Sequence, residues 1–261
     1  MAEKESVLYQ KEQGIARITL NRPDTLNAIN KDMLQQLTSF LDIAKVDYAV
    51  KAVIIIGAGE KAFSTGADIK FLKQATPLEV RELALTAVSV TSKIEKLGKV
   101  VVAAINGYAL GGGLEIAEAC MLRVAVRGAS MGHPEVRIGA IAGFGGTTRL
   151  PRLIGKGRAT ELLLTGRVVS AEEALQWGLI NKVVEPNRLI PETEKLLHEI
   201  LSQAPVAVRL TWEAIHRGLN LTLDESALLG ADYFGLVGST EDFRTGIKAF
   251  LEKTSPSFSG K

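Results

Sequence analysis

Along the chain the hydrophobic positions change period repeatedly, and each change predicts an element. "VLYQKE" and "GIARITL" alternate apolar and polar residues on either side of Gly14, which predicts a hairpin. In "KDMLQQLTSFLDIAK" the apolar residues recur at helical spacing, with Asn30 placed as the N-cap. "AVIIIG" and "VVAAI" are continuous apolar runs ending at Gly57 and Asn106, the pattern of strands buried on both faces. Between them "PLEVRELALTAVSVTSKIEKL" reads as a long amphipathic helix. "LEIAEAC" is a helix opened by Gly111, Gly112 and Gly113, and "RVAV" is another short buried strand. Strand and helix in alternation predict an α/β domain.

After Asn181 the pattern becomes helical throughout. "PETEKLLHEILSQA", "PVAVRLTWEAIHRGL", "LDESALLGADYFGLV" and "TEDFRTGIKAFLEK" are separated by prolines and glycines. Isolated helices need a surface to cover. The expected organisation is a core over residues 1–200 that carries the site. A helical region over 201–261 is expected to pack on that core or on a neighbouring subunit.

Composition narrows the function classes. A net charge of +2 gives no support for nucleic acid or a membrane as partner. The single cysteine, Cys120, rules out an internal disulfide and a cysteine metal cage, and suits a reducing compartment. The opening "MAEKESVLYQ" has no basic segment followed by an apolar run, no stretch is long enough to span a bilayer, and "FSGK" is not a peroxisomal signal. A cytoplasmic protein is expected.

Three motifs compete for the chemistry and two fail. Gly128-Ala-Ser130-Met-Gly132 fits the G-x-S-x-G nucleophile elbow. An elbow needs a helix after the serine, and "GHPEVRIGAIAGFGG" has no helical period. No aspartate lies between Ser130 and His216, and His198 and His216 sit in amphipathic helices where solvent-facing histidines are common. "VIIIGAGEKA" resembles a dinucleotide turn, but "EKAFSTGADI" is too broken for the helix that should follow, so a tight turn is the better reading. No H-E-x-x-H pattern or carboxylate cage suggests a metal.

What remains is a set of glycine turns and two glutamates. "FSTGADI" is a turn after a buried strand. "AINGYALGGGLEIAEAC" passes through three glycines into a helix. Their use is close approach to backbone N–H groups at a helix N-terminus, where donors are unpaired and a developing oxyanion can be held. Glu115 follows in the first turn, where a carboxylate also simply suits the helix dipole. Glu135 lies in an apolar, glycine-rich surround; its bland alternative is an ion pair with Arg137 or Arg123.

"AINGYALGGGLEIA" followed by "GHPEVRIGAIAGFGGTTRLPRLIG" resembles the enoyl-CoA hydratase/isomerase family, the crotonases. "ITLNRPDTLNAIN", "KAFSTGADIK" and "LTGRVVSAEEALQWGLINKVV" match the same family in the same order, over nearly the whole chain. The resemblance implies a crotonase (ClpP-like) spiral of ββα units with a helical C-terminal region, assembled as a homotrimer or a dimer of trimers. It implies an acyl-CoA substrate, with coenzyme A as part of that substrate and no separate cofactor or metal. By motif position Ala67 and Gly112 would hold the thioester oxygen through their N–H groups. Ala67, Asp68, Ile69 and Lys70 would lie along the CoA, and Gly143 would contact the reacting water. Hydratases carry both glutamates, so Glu115 and Glu135 are the expected catalytic pair for hydration of a 2-enoyl-CoA, and Ser130 is incidental. The alternatives are an isomerase of the same family, or an RNA-binding hydratase relative. The latter is disfavoured because the early helix carries only Lys31 and Lys45. Asp24, His133 and Ala142 depart from the family pattern, His133 standing where Gln is frequent; none of the three is expected to touch the chemistry.

Overall fold

The structure, a computed structural model, describes residues 5–261; the first four residues of the opening stretch read above lie outside them. The expected hairpin joins β1 (Val7–Glu12) and β2 (Ile15–Leu20), with Glu12 opposite Ile15. Its two loop residues, Gln13 and Gly14, both have positive φ, 48° and 82°. That is the backbone twist a two-residue hairpin loop favours.

The first helix, α1 (Lys31–Val46), starts where Asn30 accepts the Met33 N–H at 2.9 Å. Next come β3 (Ala52–Gly57), β4 (Ala62–Ser64), the single turn α2 (Ile69–Leu72) and the long α3 (Pro77–Glu95). The same sequence of parts recurs as β5 (Val100–Ile105), β6 (Tyr108–Leu110) and α4 (Gly112–Ala119), then as β7 (Leu122–Val126) and β8 (Ser130–Gly132). A 3-10 turn over Pro134–Ile138 leads to α5 (Gly146–Ile154) and α6 (Lys156–Thr165). β9 (Val168–Ser170), α7 (Ala171–Gln176), β10 (Lys182–Val184) and α8 (Leu189–Leu201) follow.

The strands form two sheets. The larger has the order β1-β2-β3-β5-β7-β10, parallel except for the hairpin. The smaller has the order β4-β6-β8-β9, parallel except for β8 and β9. Each repeat therefore lays one strand in each sheet and moves one place along both, which is a spiral of ββα units. The apolar runs explain its centre: every residue of β5 and all but one of β3 are buried. Each fully buried Val or Ile contributes roughly 1.5–3 kcal/mol.

Two residues show how tightly the two sheets are tied. Asn106 accepts the Gly57 N–H at 3.2 Å and donates to the carbonyls of Gly57 at 2.9 Å and Gly59 at 2.7 Å, so a side chain fastens the turn between β3 and β4. At Gly113 a Cβ would lie 2.2 Å from the Ser64 carbonyl oxygen, so only glycine lets α4 seat against the end of β4.

The chain divides into two compact units, one ending at Thr193 and the other Glu194–Lys261, with the division inside α8. The second unit contains α9 (Pro205–Gly218), α10 (Leu223–Gly238) and α11 (Glu241–Glu252), the helices read from the pattern. Phe234 of α10 meets Phe243 of α11 edge to face. The buried Asp242 carboxylate accepts the N–H groups of Ser259 at 2.7 Å and Gly260 at 2.8 Å, which ties the C-terminal tail back to α11.

Candidate active site

The glycine turns meet at one place. Ile29 donates to the Gly66 carbonyl at 2.7 Å and accepts from Asp68 N–H at 2.9 Å, a parallel bridge centred on Ala67. Such a bridge uses the groups on either side of Ala67, so its own N–H points to the opposite side. Gly112 is the first residue of α4, where helix geometry leaves the N–H without an intrahelical acceptor. The two segments touch: a Cβ on Gly66 would sit 3.0 Å from Gly112 N. Both Ala67 and Gly112 line a cavity of about 880 Å³ in the first unit.

Glu115 and Glu135 line the same cavity from different elements, Glu115 from α4 and Glu135 from the 3-10 turn after β8. Glu115 is 1% exposed. Its Oε1 accepts two backbone N–H groups, from Phe144 at 2.7 Å and Gly146 at 2.6 Å, leaving Oε2 as the oxygen not committed to the backbone. Burial pushes the Glu115 carboxyl up to about 7, even though the Gly146 N–H and the charge of His133 pull it down. Of these two carboxylates the drier is thus Glu115; the sequence placed that condition on Glu135. Glu135 is partly open to the cavity, with 16% of its side chain exposed. Its room depends on Gly111, whose φ is +50° and whose Cβ would lie 2.9 Å from Glu135 Oε1.

The ion-pair alternative for Glu135 is not realised among the described residues. Arg123 is buried elsewhere and donates to the carbonyls of Leu179, Cys120 and Ala117. Arg137 forms no salt bridge with Glu135; its side chain lies against Gly166. Gly143 lines the cavity, but the N–H that reaches Glu115 is that of the next residue, Phe144.

The 67–70 segment divides. Ala67 and Ile69 line the cavity, whereas Asp68 and Lys70 do not. Asp68 is engaged in structure: it caps α2 by accepting the Lys70 N–H at 3.0 Å and pairs with Arg22 at 2.9 Å. Burial pushes its carboxyl up, but Arg22 and the α2 amides outweigh that and hold it below the ordinary value.

One expectation is corrected outright. His133 does touch the site: its Nε2 is 2.8 Å from Glu118 Oε1 and its Nδ1 is 3.6 Å from Glu135 Oε1, with the His133 and Glu118 side chains fully buried. Ala142 is drawn in as well, since Gly146 has room for no side chain against His133, Ala142 and Glu115. The reason is local. Residues 133 and 135 flank Pro134 at the start of the 3-10 turn, which brings both toward α4. Ser130 lies upstream on β8, paired with Ser170, and is followed by that turn rather than a helix. Among the described residues no group of His, Cys, Asp and Glu is arranged to hold a metal ion, and no helix is long and apolar enough to cross a membrane.

Comparison with known proteins places the chain in a family. The family model for enoyl-CoA hydratase/isomerase matches residues 10–261. The chain is 43% identical over 257 residues to the crotonyl-CoA hydratase of Syntrophomonas wolfei, covering 98% of this chain and 99% of that one. It is also 43% identical over 251 residues to the short-chain-enoyl-CoA hydratase of Clostridium acetobutylicum, covering 96% of each. The crystal structure of an enoyl-CoA hydratase from Bacillus anthracis superposes with a TM-score of 0.93 at 37% identity, covering 98% of this chain and all of that one.

Proposed function

Because the chain belongs to the enoyl-CoA hydratase/isomerase family and is an enoyl-CoA hydratase, we propose that Glu115 and Glu135 add water across the C2=C3 bond of a 2-enoyl-CoA held by the Ala67 and Gly112 amides. The reading rests on one observation, the convergence of these four groups on a single cavity.

The two N–H groups polarise the thioester carbonyl, and conjugation makes C3 electrophilic. One such donor is worth about 10²–10³-fold in rate. Glu115 Oε2 receives the proton of the attacking water while Oε1 stays fixed by Phe144 and Gly146. A base that titrates near 7 suits neutral pH. The oxygen–C3 bond forms and the π pair moves to C2; the proton taken from the water passes within the cavity from Glu115 to Glu135, which delivers it to C2, giving the 3-hydroxyacyl-CoA and leaving both carboxylates as they began.

No cofactor enters these steps beyond the CoA that the substrate carries. Assembly as a trimer or dimer of trimers in the cytoplasm is part of the same proposal. Association between copies is supported by apolar side chains left exposed in the second unit, such as Leu223, Phe234 and Phe250, at 85%, 70% and 82% exposure.

The test is loss of enone absorbance with crotonyl-CoA. Efficient hydration is expected. An enzyme that shifts a 3-enoyl to a 2-enoyl thioester but barely hydrates crotonyl-CoA would be an isomerase instead. Ser130→Ala is expected to stay within about threefold of wild type, as for a substitution remote from the chemistry. Stoichiometric labelling of Ser130 by a serine-directed phosphonate would contradict the carboxylate mechanism.

A further inference from the structure

We infer that His133 and Glu118 form a buried ion pair that holds and aims Glu135, so that His133 is a positioning residue for the hydration. The inference rests on the roles proposed above for Glu115 and Glu135.

Glu118 lies on α4 three residues after Glu115, hence on the same side of the helix. A carboxylate buried in "LEIAEAC" is costly unless it is paired. His133 supplies the partner at 2.8 Å. The other ring nitrogen, Nδ1, makes no hydrogen bond and faces Glu135 Oε1 at 3.6 Å. The imidazole therefore bridges a carboxylate sealed behind it and a carboxylate open to the cavity. Burial alone pushes His133 toward neutrality; Glu118 and Glu135 outweigh it and raise the ring above its ordinary value, which favours the cation.

The charge balance of the whole cluster depends on that cation. Glu115, Glu118 and Glu135 are three carboxylates around one imidazole. The positive charge of His133 holds Glu115 down, while Glu118 and Glu135 push it up. Two other cations add to the field of the cluster, Arg149 acting on Glu118 and Glu115 and Arg123 on Glu118, but their hydrogen bonds go to other groups. Arg149 of α5 is held by both carboxylate oxygens of Glu95 on α3, at 2.7 Å each, and Arg123 of β7 donates to main-chain carbonyls. A neutral side chain at 133 fills the same space without the charge that balances Glu115 and faces Glu135.

The test is crotonyl-CoA hydration by the full chain from pH 5 to 9 for wild type, His133→Gln, Glu118→Gln and the double variant, with thermal unfolding recorded beside it. His133→Gln is expected to lower kcat about tenfold, the equivalent of one pK unit, with KM changed by less than about twofold. The acid limb of kcat/KM should move upward by about one pH unit, the lower end of what loss of a nearby opposite charge produces. The double variant should lose no more than the worse single variant, because the two residues act as a unit. A His133→Gln enzyme with a lower Tm but an unmoved limb would make the pair a structural brace and overturn the inference; so would strictly multiplicative losses. Should His133→Gln not fold, Glu118→Gln decides alone, since its amide can still accept from His133 Nε2. A kcat for Glu118→Gln within about twofold of wild type overturns the inference. A wild type that does not hydrate crotonyl-CoA fails the hydratase reading itself, an outcome separable from the others because it needs no variant.

Discussion

Glu115→Gln and Glu135→Gln are each expected to lower kcat for crotonyl-CoA hydration by about 10²–10⁴-fold, the range for one positioned acid or base. The amide is nearly isosteric. Gln at 115 can still accept the Phe144 and Gly146 N–H groups, so the substitution removes the charge and spares the scaffold. Hydration needs one group to activate water at C3 and another to protonate C2, whereas moving a double bond needs only a proton carrier between C4 and C2. A residual 3-enoyl to 2-enoyl shift should therefore survive better in Glu115→Gln than in Glu135→Gln. The double variant should lose less than the product of the single losses. Steady-state kinetics on both thioesters decide it, and near-wild-type hydration by either variant would end the two-carboxylate mechanism.

Gly111→Ala is expected to cost at least about 10²-fold in kcat, the scale of losing one oxyanion donor. The new methyl group would lie 2.9 Å from Glu135 Oε1, and the backbone at φ +50° precedes the Gly112 amide directly. One substitution thus pushes on the acid and on the donor together. Strain at this φ/ψ, which lies outside the left-handed helical region, lowers stability too, by roughly 1–3 kcal/mol, so a control is needed. Gly128 supplies it: its φ is +86° and nothing lies within 4 Å of its would-be Cβ. Gly128→Ala should lower Tm comparably and leave kcat nearly intact. Equal turnover in the two folded variants would remove Gly111 from the site.

The parts of the fold that could be read from the sequence are those long enough to show a period. The helices α1, α3 and α9 to α11 and the strands β3 and β5 run for six residues or more, and their apolar spacing is unambiguous. The smaller sheet consists of three-residue strands, too short for alternation to register, so the two-sheet arrangement rested on family resemblance rather than on pattern. In the site, the glycines at 111–113 announced a helix N-terminus. Gly145 and Gly146 carry the same signal, since α5 starts at Gly146, and they went unread; that is why the amides holding Glu115 were missed. Glu118 also left a trace, a second carboxylate one turn beyond Glu115 in an otherwise apolar helix. His133 showed only as a departure from the family pattern, because the fold alone shows that a residue two before Glu135 reaches back to α4.

The proposed thioester grip consists of the amides of Ala67 and Gly112, and this shapes how the scaffold can evolve. A main-chain amide is encoded by no particular side chain. Of the twenty amino acids only proline deletes it, so drift in the sequence leaves the grip standing as long as the turns survive. New reactions on the same class of substrate are therefore open to mutation at 115, 118, 133 and 135, where a single codon changes a charge, while the part that recognises the thioester stays out of reach. Anyone redirecting this enzyme should spend the library on those four positions and leave the glycine turns alone.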